Sequence, residues 1–339
     1  MLKICAYAIC KNEEKNVERW LWATRHCQSR IVVDTGSTDR SVELLRKAGV
    51  EVHEARWDPF RFDEARNLAL RLTPPDADWL ISPDFDECFE DGWIEELEQV
   101  SRSHPTATLV EYKIFLVGAD KTRIPGQNYG RKIHRPGYRW VQPVHEYLAL
   151  DKPEVAIRSE VIVQLHEQDL EKDREGHYLD LALAHLARDP ESEWLTWFVF
   201  RGYCFIRRDL DRCIEYGTKY LQLSRPYSTF RSIALEEIAR ASWEKDLPVA
   251  HVLATLLRAV GENPDSRSAW HGLGDVAFSV GKWDLAVFAY SVILDSDIPE
   301  LLNKYRHAVA QISGHLEISK SDSSRATSAT TGPHSPIRV

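Results

Sequence analysis

The chain has 339 residues, which at about 100–200 residues per domain predicts two domains. Hydrophobic residues make up 43%, an ordinary share for a globular protein, and that excludes a disordered polymer. With 43 Lys+Arg against 52 Asp+Glu the net charge is −9, so there is no global cationic field to hold a polyanion and nucleic acid is disfavoured as a partner.

In chain order, Ile4–Ile9 is a short apolar run and predicts a strand, and Val17–Ala23 carries apolar residues at helical spacing. Arg30–Val33 predicts a second strand ending at Asp34; Gly36–Asp39 reads as a turn and N-cap for a helix over Ser41–Ala48. Gly49 closes that helix, Val50–His53 begins another strand, and Trp79–Ile81 predicts a buried strand that stops at Pro83-Asp84. This alternation predicts a parallel sheet with helices on both faces. Ligands bind such sheets at the carboxyl ends of the strands. Polar residues collect there: Lys11-Asn12, Asp34 and Asp84–Glu87. Strands over Thr108–Phe115 and Glu160–Leu165, around Gly/Pro/Arg/His-rich loops at 118–146, predict a mixed-sheet extension carrying the second half of a site.

From Glu171 to about residue 318 the pattern is helical throughout. Trp270, Leu273, Gly274, Ala277, Gly281, Trp283, Ala286 and Tyr290, with Pro299 beyond, have the spacing of a tetratricopeptide repeat, in which large and small residues interlock two antiparallel helices. Fainter copies surround Trp197–Pro226 and Ala234–Pro264, so two or three stacked pairs are expected. Residues 319–339, rich in Ser and Thr, predict a disordered tail. The expected domains are therefore 1–170, 171–318 and the tail 319–339. The cysteines at 5, 10, 27, 88, 204 and 213 contain no C-x-x-C pair and read as reduced thiols, and Ile4–Cys10 is too short to span a membrane. A cytoplasmic location is expected.

The sharpest chemical signal is DFDE at 84–87. Carboxylates one residue apart at a strand end can converge on one ion, and Mg²⁺ or Mn²⁺ takes one or two carboxylates plus phosphate oxygens. The alternative is a solvated acidic turn. Asp34, at another strand end, has the geometry to accept hydrogen bonds from a base or ribose, or it belongs to an ordinary capping turn. Arg66, in the helical stretch Phe62–Leu72, adds a cation for phosphate oxygens. Arg131, Lys132 and Arg135 form a basic cluster that either closes over a diphosphate or is a solvated loop.

The series ICAYAICKNEEKNVERWL, RIVVDTGSTDRS, FDEARNLAL and DWLISPDFDE, in that order, resembles the family 2 glycosyltransferases with a GT-A fold. It looks most like the bacterial and phage group that joins this α/β domain to tetratricopeptide-like helices, which includes peptide S-glycosyltransferases. YGRKIHRPGYRWVQPVHEYL resembles that family's Arg…His-Glu region, and VIVQLHEQD its strand with a terminal histidine. The resemblance implies that Ile9 and Lys11 border the nucleotide base and that Asp34 contacts base or ribose. It places Arg66 near the base or diphosphate and Asp84 near ribose and metal, with Asp86 and His166 as ligands of Mn²⁺ or Mg²⁺. Phe85 stands between the two aspartates where the group usually has a small residue, and it is counted with Arg131 in the donor site.

The implied reaction is inverting transfer of a sugar from a nucleoside diphosphate sugar, a UDP-sugar above all, to an acceptor. Glu146, offset from the metal carboxylates, is the candidate general base; its alternative is a salt bridge to Arg131 or Arg139. The repeats are expected to recognise a peptide or protein acceptor or to pair two copies of the chain. The competing expectation is a non-catalytic scaffold with a degenerate sugar-nucleotide domain.

Overall fold

The structure is a computed structural model and describes residues 2–118, 120–126, 129–167, 174–294 and 299–328. The chain divides into two compact units, one up to Arg188 and one from Asp189 onward.

In the first unit the elements run β1 (Ile4–Cys10), α1 (Val17–Ala23), β2 (Ser29–Asp34), α2 (Ser41–Lys47), β3 (Glu51–Glu54), α3 (Phe62–Arg71), β4 (Trp79–Ile81), β5 (Glu87–Phe89) and α4 (Trp93–Ser103). They continue with β6 (Leu109–Val117), β7 (Arg123–Pro125), β8 (Gly130–His134), β9 (Arg139–Val141), β10 (Tyr147–Ala149), β11 (Ala156–His166) and α5 (Arg174–Leu186). The main sheet has the order β3-β2-β1-β4-β8-β6-β11-β5, with β7 on β6, and β9 pairs with β10 apart from it. β3, β2, β1 and β4 are mutually parallel. β8 is antiparallel to β4 and β6, β11 is parallel to β6, and β5 is antiparallel to β11. This is the expected mixed α/β architecture, with the antiparallel extension where the loop-rich segment predicts it.

β1 shows why the sheet is covered on both sides. Successive side chains of a strand point to opposite faces. Ile4, Ala6, Ala8 and Cys10 join one core with Trp20, Trp79, Phe85 and Trp93, whereas Cys5 and Tyr7 join another with Ile31, Val33, Leu80 and Trp140. A strand buried on both faces reads as a continuous apolar run, which is how it looks in sequence.

In the second unit α6 (Glu193–Arg201) runs into a π-helical segment, Gly202–Arg207, and is followed by α7 (Leu210–Leu223), α8 (Thr229–Glu244), α9 (Val249–Glu262), α10 (Arg267–Ser279), α11 (Trp283–Ile293) and α12 (Pro299–Ser328). Ser192, Asp209, Ser228 and Ser266 cap α6, α7, α8 and α10, each accepting a backbone N–H three residues on. Leu273, Ala277, Ala286, Ala289 and Tyr290 share one core. Gly274 is obligatory there, since a Cβ at this position would run into the Tyr290 ring. The unit thus resembles stacked tetratricopeptide pairs.

Three expectations are corrected. The chain divides after Arg188 rather than at 170, because α5 packs on the first unit: the Tyr178 ring meets Phe62 and His145, and His185 bonds the Phe60 carbonyl. Cys204 and Cys213 form a disulfide, while Cys5, Cys10, Cys27 and Cys88 are free thiols as expected. The expected tail is helical to Ser328 as the end of α12, and residues 329–339 lie outside the described residues. No helix among the described residues is long and apolar enough to cross a membrane.

Candidate active site

The parallel strands deliver their carboxyl ends to one edge. β1 ends at Cys10 opposite Asp34 of β2, with Ile9 half-buried and Lys11 exposed just beyond. Asp34 is buried, and its carboxylate is turned into its own loop, accepting the N–H groups of Gly36 at 3.1 Å and Ser37 at 3.1 Å. Gly36 adopts φ +122°, a conformation that glycine takes without strain. The same loop is stitched to the end of β1: Asn12 N–H donates to Ser37 Oγ, and Thr38 N–H donates to Asn12 Oδ1. Asp34 therefore shapes the rim beside β1, and Arg56 stands 3.7 Å from its carboxylate.

A denser cluster forms beyond β4. Arg66 lies on the buried face of α3, only 5% exposed. Its Nε donates to Glu146 Oε1 at 2.6 Å and its Nη2 to Asp84 Oδ1 at 2.7 Å. Backbone pairing of Ser82 with Lys132 brings β8 alongside, and Lys132 Nζ donates to Asp84 Oδ2 at 2.6 Å and to both oxygens of Glu87 at 2.9 Å. Asp86 Oδ2 lies 3.3 Å from His166 Nε2, which β11 brings opposite Glu87.

Charge and burial oppose each other throughout this cluster. Burial pushes the Asp84 carboxyl upward, but the adjacent Arg66 and Lys132 charges overbalance it and hold the group well below the usual carboxylate range. Glu87 goes the other way: burial, helped by the Asp84 charge, raises it in spite of Lys132. Lys132 loses from burial and gains more from Asp84 and Glu87, so its ammonium is held charged. For His166, burial favours the neutral ring, and the hydrogen bond and charge of Asp86 raise it nonetheless.

The sequence-selected residues do not all meet here. Arg66, Asp84 and Glu146 form one bonded group, and Asp86 with His166 a second at its side. Phe85 is a correction: it is buried and stacks on Trp20 with ring centroids 5.1 Å apart, so it belongs to the core rather than to a donor pocket. Arg131 is another, since it ion-pairs with Glu111 and Glu154 while its neighbour Lys132 reaches the cluster. Consecutive residues of β8 point to opposite faces, and that phase separates the two. Glu146 does form an ion pair, with Arg66; Arg139 pairs with Asp151 instead. Lys132, read from sequence only as part of the 131–135 basic cluster, and Glu87, read only as the end of DFDE, are the cluster members given no role of their own there. The signal was present in the strand alternation of GRKIH, which puts Lys132 and Arg131 on different faces once one is fixed. Among the described residues, no three His, Cys, Asp or Glu side chains converge as a ready-made metal cage; Asp86 and His166 are a pair.

Residues 6–140 match the family model described as glycosyl transferase family 2. The N-terminal unit carries a family 2 glycosyl transferase domain. An uncharacterized glycosyltransferase of Rickettsia conorii is 29% identical over 116 residues, 34% of this chain and 40% of that protein. A TPR repeat-containing protein of Synechococcus elongatus is 27% identical over 149 residues, 43% of this chain and 35% of that one. The chain thus spans less than half the length of these curated relatives. Among solved structures, S. aureus TarS 1–349 in complex with UDP aligns over 83% of this chain and 92% of its own at 14% identity and TM-score 0.39. The family 2 domain ends beside Trp140, so the described cluster draws Arg66, Asp84, Asp86, Glu87 and Lys132 from within the matched segment, and Glu146 and His166 from beyond it.

Proposed function

We propose that this protein transfers a sugar, with inversion, from a nucleoside diphosphate sugar, a UDP-sugar above all, to an acceptor side chain on a peptide or protein. The observation that carries this is Arg66, a buried guanidinium held between Asp84 and Glu146 at the strand ends of a family 2 domain. Departure of a nucleoside diphosphate builds negative charge on the leaving oxygens, and preorganised cations at that point lower the barrier. Arg66 and Lys132 supply them, fixed in advance by Asp84, Glu87 and Glu146.

The residues also fit a divalent cation. Asp84 is committed to Arg66 and Lys132, whereas Asp86 and His166 present an oxygen and a nitrogen donor 3.3 Å apart beside it. Two protein ligands plus phosphate oxygens suit Mn²⁺ or Mg²⁺. Bound there, the ion would neutralise charge developing on the diphosphate. Glu146 is assigned the acceptor proton. Arg66 Nε holds its Oε1, which orients Oε2 as the accepting atom.

For the acceptor, the helical unit offers a groove of about 370 Å³ whose lining includes Ala239, Val252 and Leu256 with Glu236, Glu237 and Trp243. Arg240 lies in the same lining, ion-paired with Glu237, so the rim is of mixed charge over an apolar floor; that suits an extended peptide, and repeat stacks present such concave surfaces.

A donor screen with UDP-, GDP- and TDP-sugars, with and without Mn²⁺, tests the proposal on wild type and Asp86→Ala. We expect metal-dependent release of one nucleoside diphosphate by wild type and its loss in Asp86→Ala. Absence of calorimetric binding of any nucleoside diphosphate with Mn²⁺ would instead identify a scaffold.

A further inference from the structure

Behind Arg66 lies a buried polar chain that the proposed reaction does not use. His134 and Tyr7 have no measurable solvent exposure, and Trp140 is 5% exposed. His134 Nδ1 lies 2.8 Å from the Arg135 carbonyl oxygen, His134 Nε2 lies 2.8 Å from Tyr7 Oη, and Trp140 Nε1 lies 2.9 Å from the same Tyr7 Oη. The proton positions follow by elimination. A carbonyl only accepts, so His134 Nδ1 carries the hydrogen of the neutral ring and Nε2 accepts from the Tyr7 hydroxyl. The Tyr7 oxygen then accepts from the indole N–H, which only donates. Every polar atom of the chain is satisfied in one arrangement.

That arrangement fixes the Trp140 ring, and the ring faces Arg66. The Arg66 guanidinium carbon stands 4.7 Å from the Trp140 ring centroid, within the range of a cation–π contact. A second tie acts on the backbone: Asn67, next in α3, accepts from Trp140 N–H at 2.9 Å and donates to the Trp140 carbonyl at 2.8 Å. The indole is therefore pinned at its nitrogen by Tyr7 and at its backbone by Asn67. The N–H groups of the guanidinium serve Glu146, Asp84 and, at 3.4 Å, the Ser82 hydroxyl, and Trp140 covers one of the two faces that these bonds leave open.

We propose that Trp140 is a positioning residue, locked by the His134–Tyr7 chain and by Asn67, whose ring face sets the plane of Arg66 and so aims that cation at the diphosphate. The proposal rests on the functional reading above. It predicts that the ring face matters to Arg66, while the indole N–H matters to folding.

Trp140→Leu and Trp140→Phe separate the two. Both remove the N–H that Tyr7 accepts, and both should melt below wild type by similar amounts. Phe alone keeps a ring face. Hydrogen exchange of Arg66 Nε–H is followed by NMR, the resonance being identified by its loss in Arg66→Lys, and donor turnover is measured on the same samples. Displacing a catalytic group by a fraction of an ångström supports an expectation of about a 10-fold loss of kcat in Trp140→Leu with donor KM changed less than about 3-fold. The Arg66 Nε–H should exchange about 10-fold faster in that variant, with Trp140→Phe within about 3-fold of wild type in both readouts. Equal losses in the two variants, in step with their melting temperatures, would overturn the proposal. Should Trp140→Leu fail to fold, Trp140→Met, which keeps more of the bulk and still lacks a ring face, must exchange the Arg66 Nε–H faster than Trp140→Phe, and equal exchange in those two variants overturns the proposal. Wild type without donor turnover sinks the functional reading alone, since the exchange comparison still decides the positioning role.

Discussion

Arg66 shows what a buried cation demands of its neighbours. Removing one partner of a buried ion pair leaves the other charge without compensation, at a cost of about 3–5 kcal/mol. Arg66→Met leaves Glu146 without its cation and Asp84 with Lys132 alone. Urea titration at pH 7 should show a loss of that size. His134 carries a pH signature. Burial pushes its pKa from 6.5 down to about 4, against the pull of the Arg135 carbonyl. A group depressed in the folded state contributes stability above its unfolded value and loses it as the pH falls toward the folded one. Wild type should therefore lose about 3 kcal/mol between pH 7 and pH 4 at this site. His134→Gln should flatten that part of the profile, as read by chemical denaturation at a series of pH values. Much of this residue-scale picture was legible beforehand. Arg66, Asp84, Asp86 and His166 announce themselves as polar residues in a helix beside, or at the ends of, buried strands. Phe85 and Arg131 did not fall where expected, because face assignment depends on strand phase and on where the strand leaves extended geometry, and neither is written in residue type.

At the scale of elements, α10 and α11 are held by shape. Gly274 admits the Tyr290 ring, whose hydroxyl donates to Asp275 at 2.7 Å. Gly274→Val should destabilise the helical unit by about 1–3 kcal/mol, the ordinary range for an overpacked contact, as monitored by the urea midpoint of the helical signal. The repeat spacing made this pair readable from sequence, since a small residue facing a large one is the repeat's own logic. The Cys204–Cys213 disulfide was not readable. It closes across the junction of the π-helical segment and α7, and the pairing follows from how that irregular turn is wound rather than from cysteine spacing. α5 was misassigned for a related reason: an amphipathic helix states that it packs, and leaves open which core receives it.

For the molecule as a whole, the two units carry separate cores, one around the main sheet and one among the repeats. A ligand that binds one folded unit stabilises that unit by mass action, about 2.7 kcal/mol at a hundredfold excess over its dissociation constant. Scanning calorimetry with UDP and Mn²⁺ should therefore raise the transition of the family 2 unit and leave that of the repeats in place. A uniform upward shift of both would contradict the assignment of nucleotide binding to the first unit.

β1 reaches further than its length suggests. With apolar neighbours on both sides and hydrogen-bonded partners along both edges, it behaves like the central tooth of a zipper. Exchanging one of its side chains perturbs one layer. Inserting or deleting a single codon between Ile4 and Cys10 would swap the layers for every residue downstream in the strand and drag Lys11 and Asn12 away from the loop they anchor. Variant libraries of this protein should therefore tolerate isosteric replacements along that stretch and contain no survivors with a shifted reading of it.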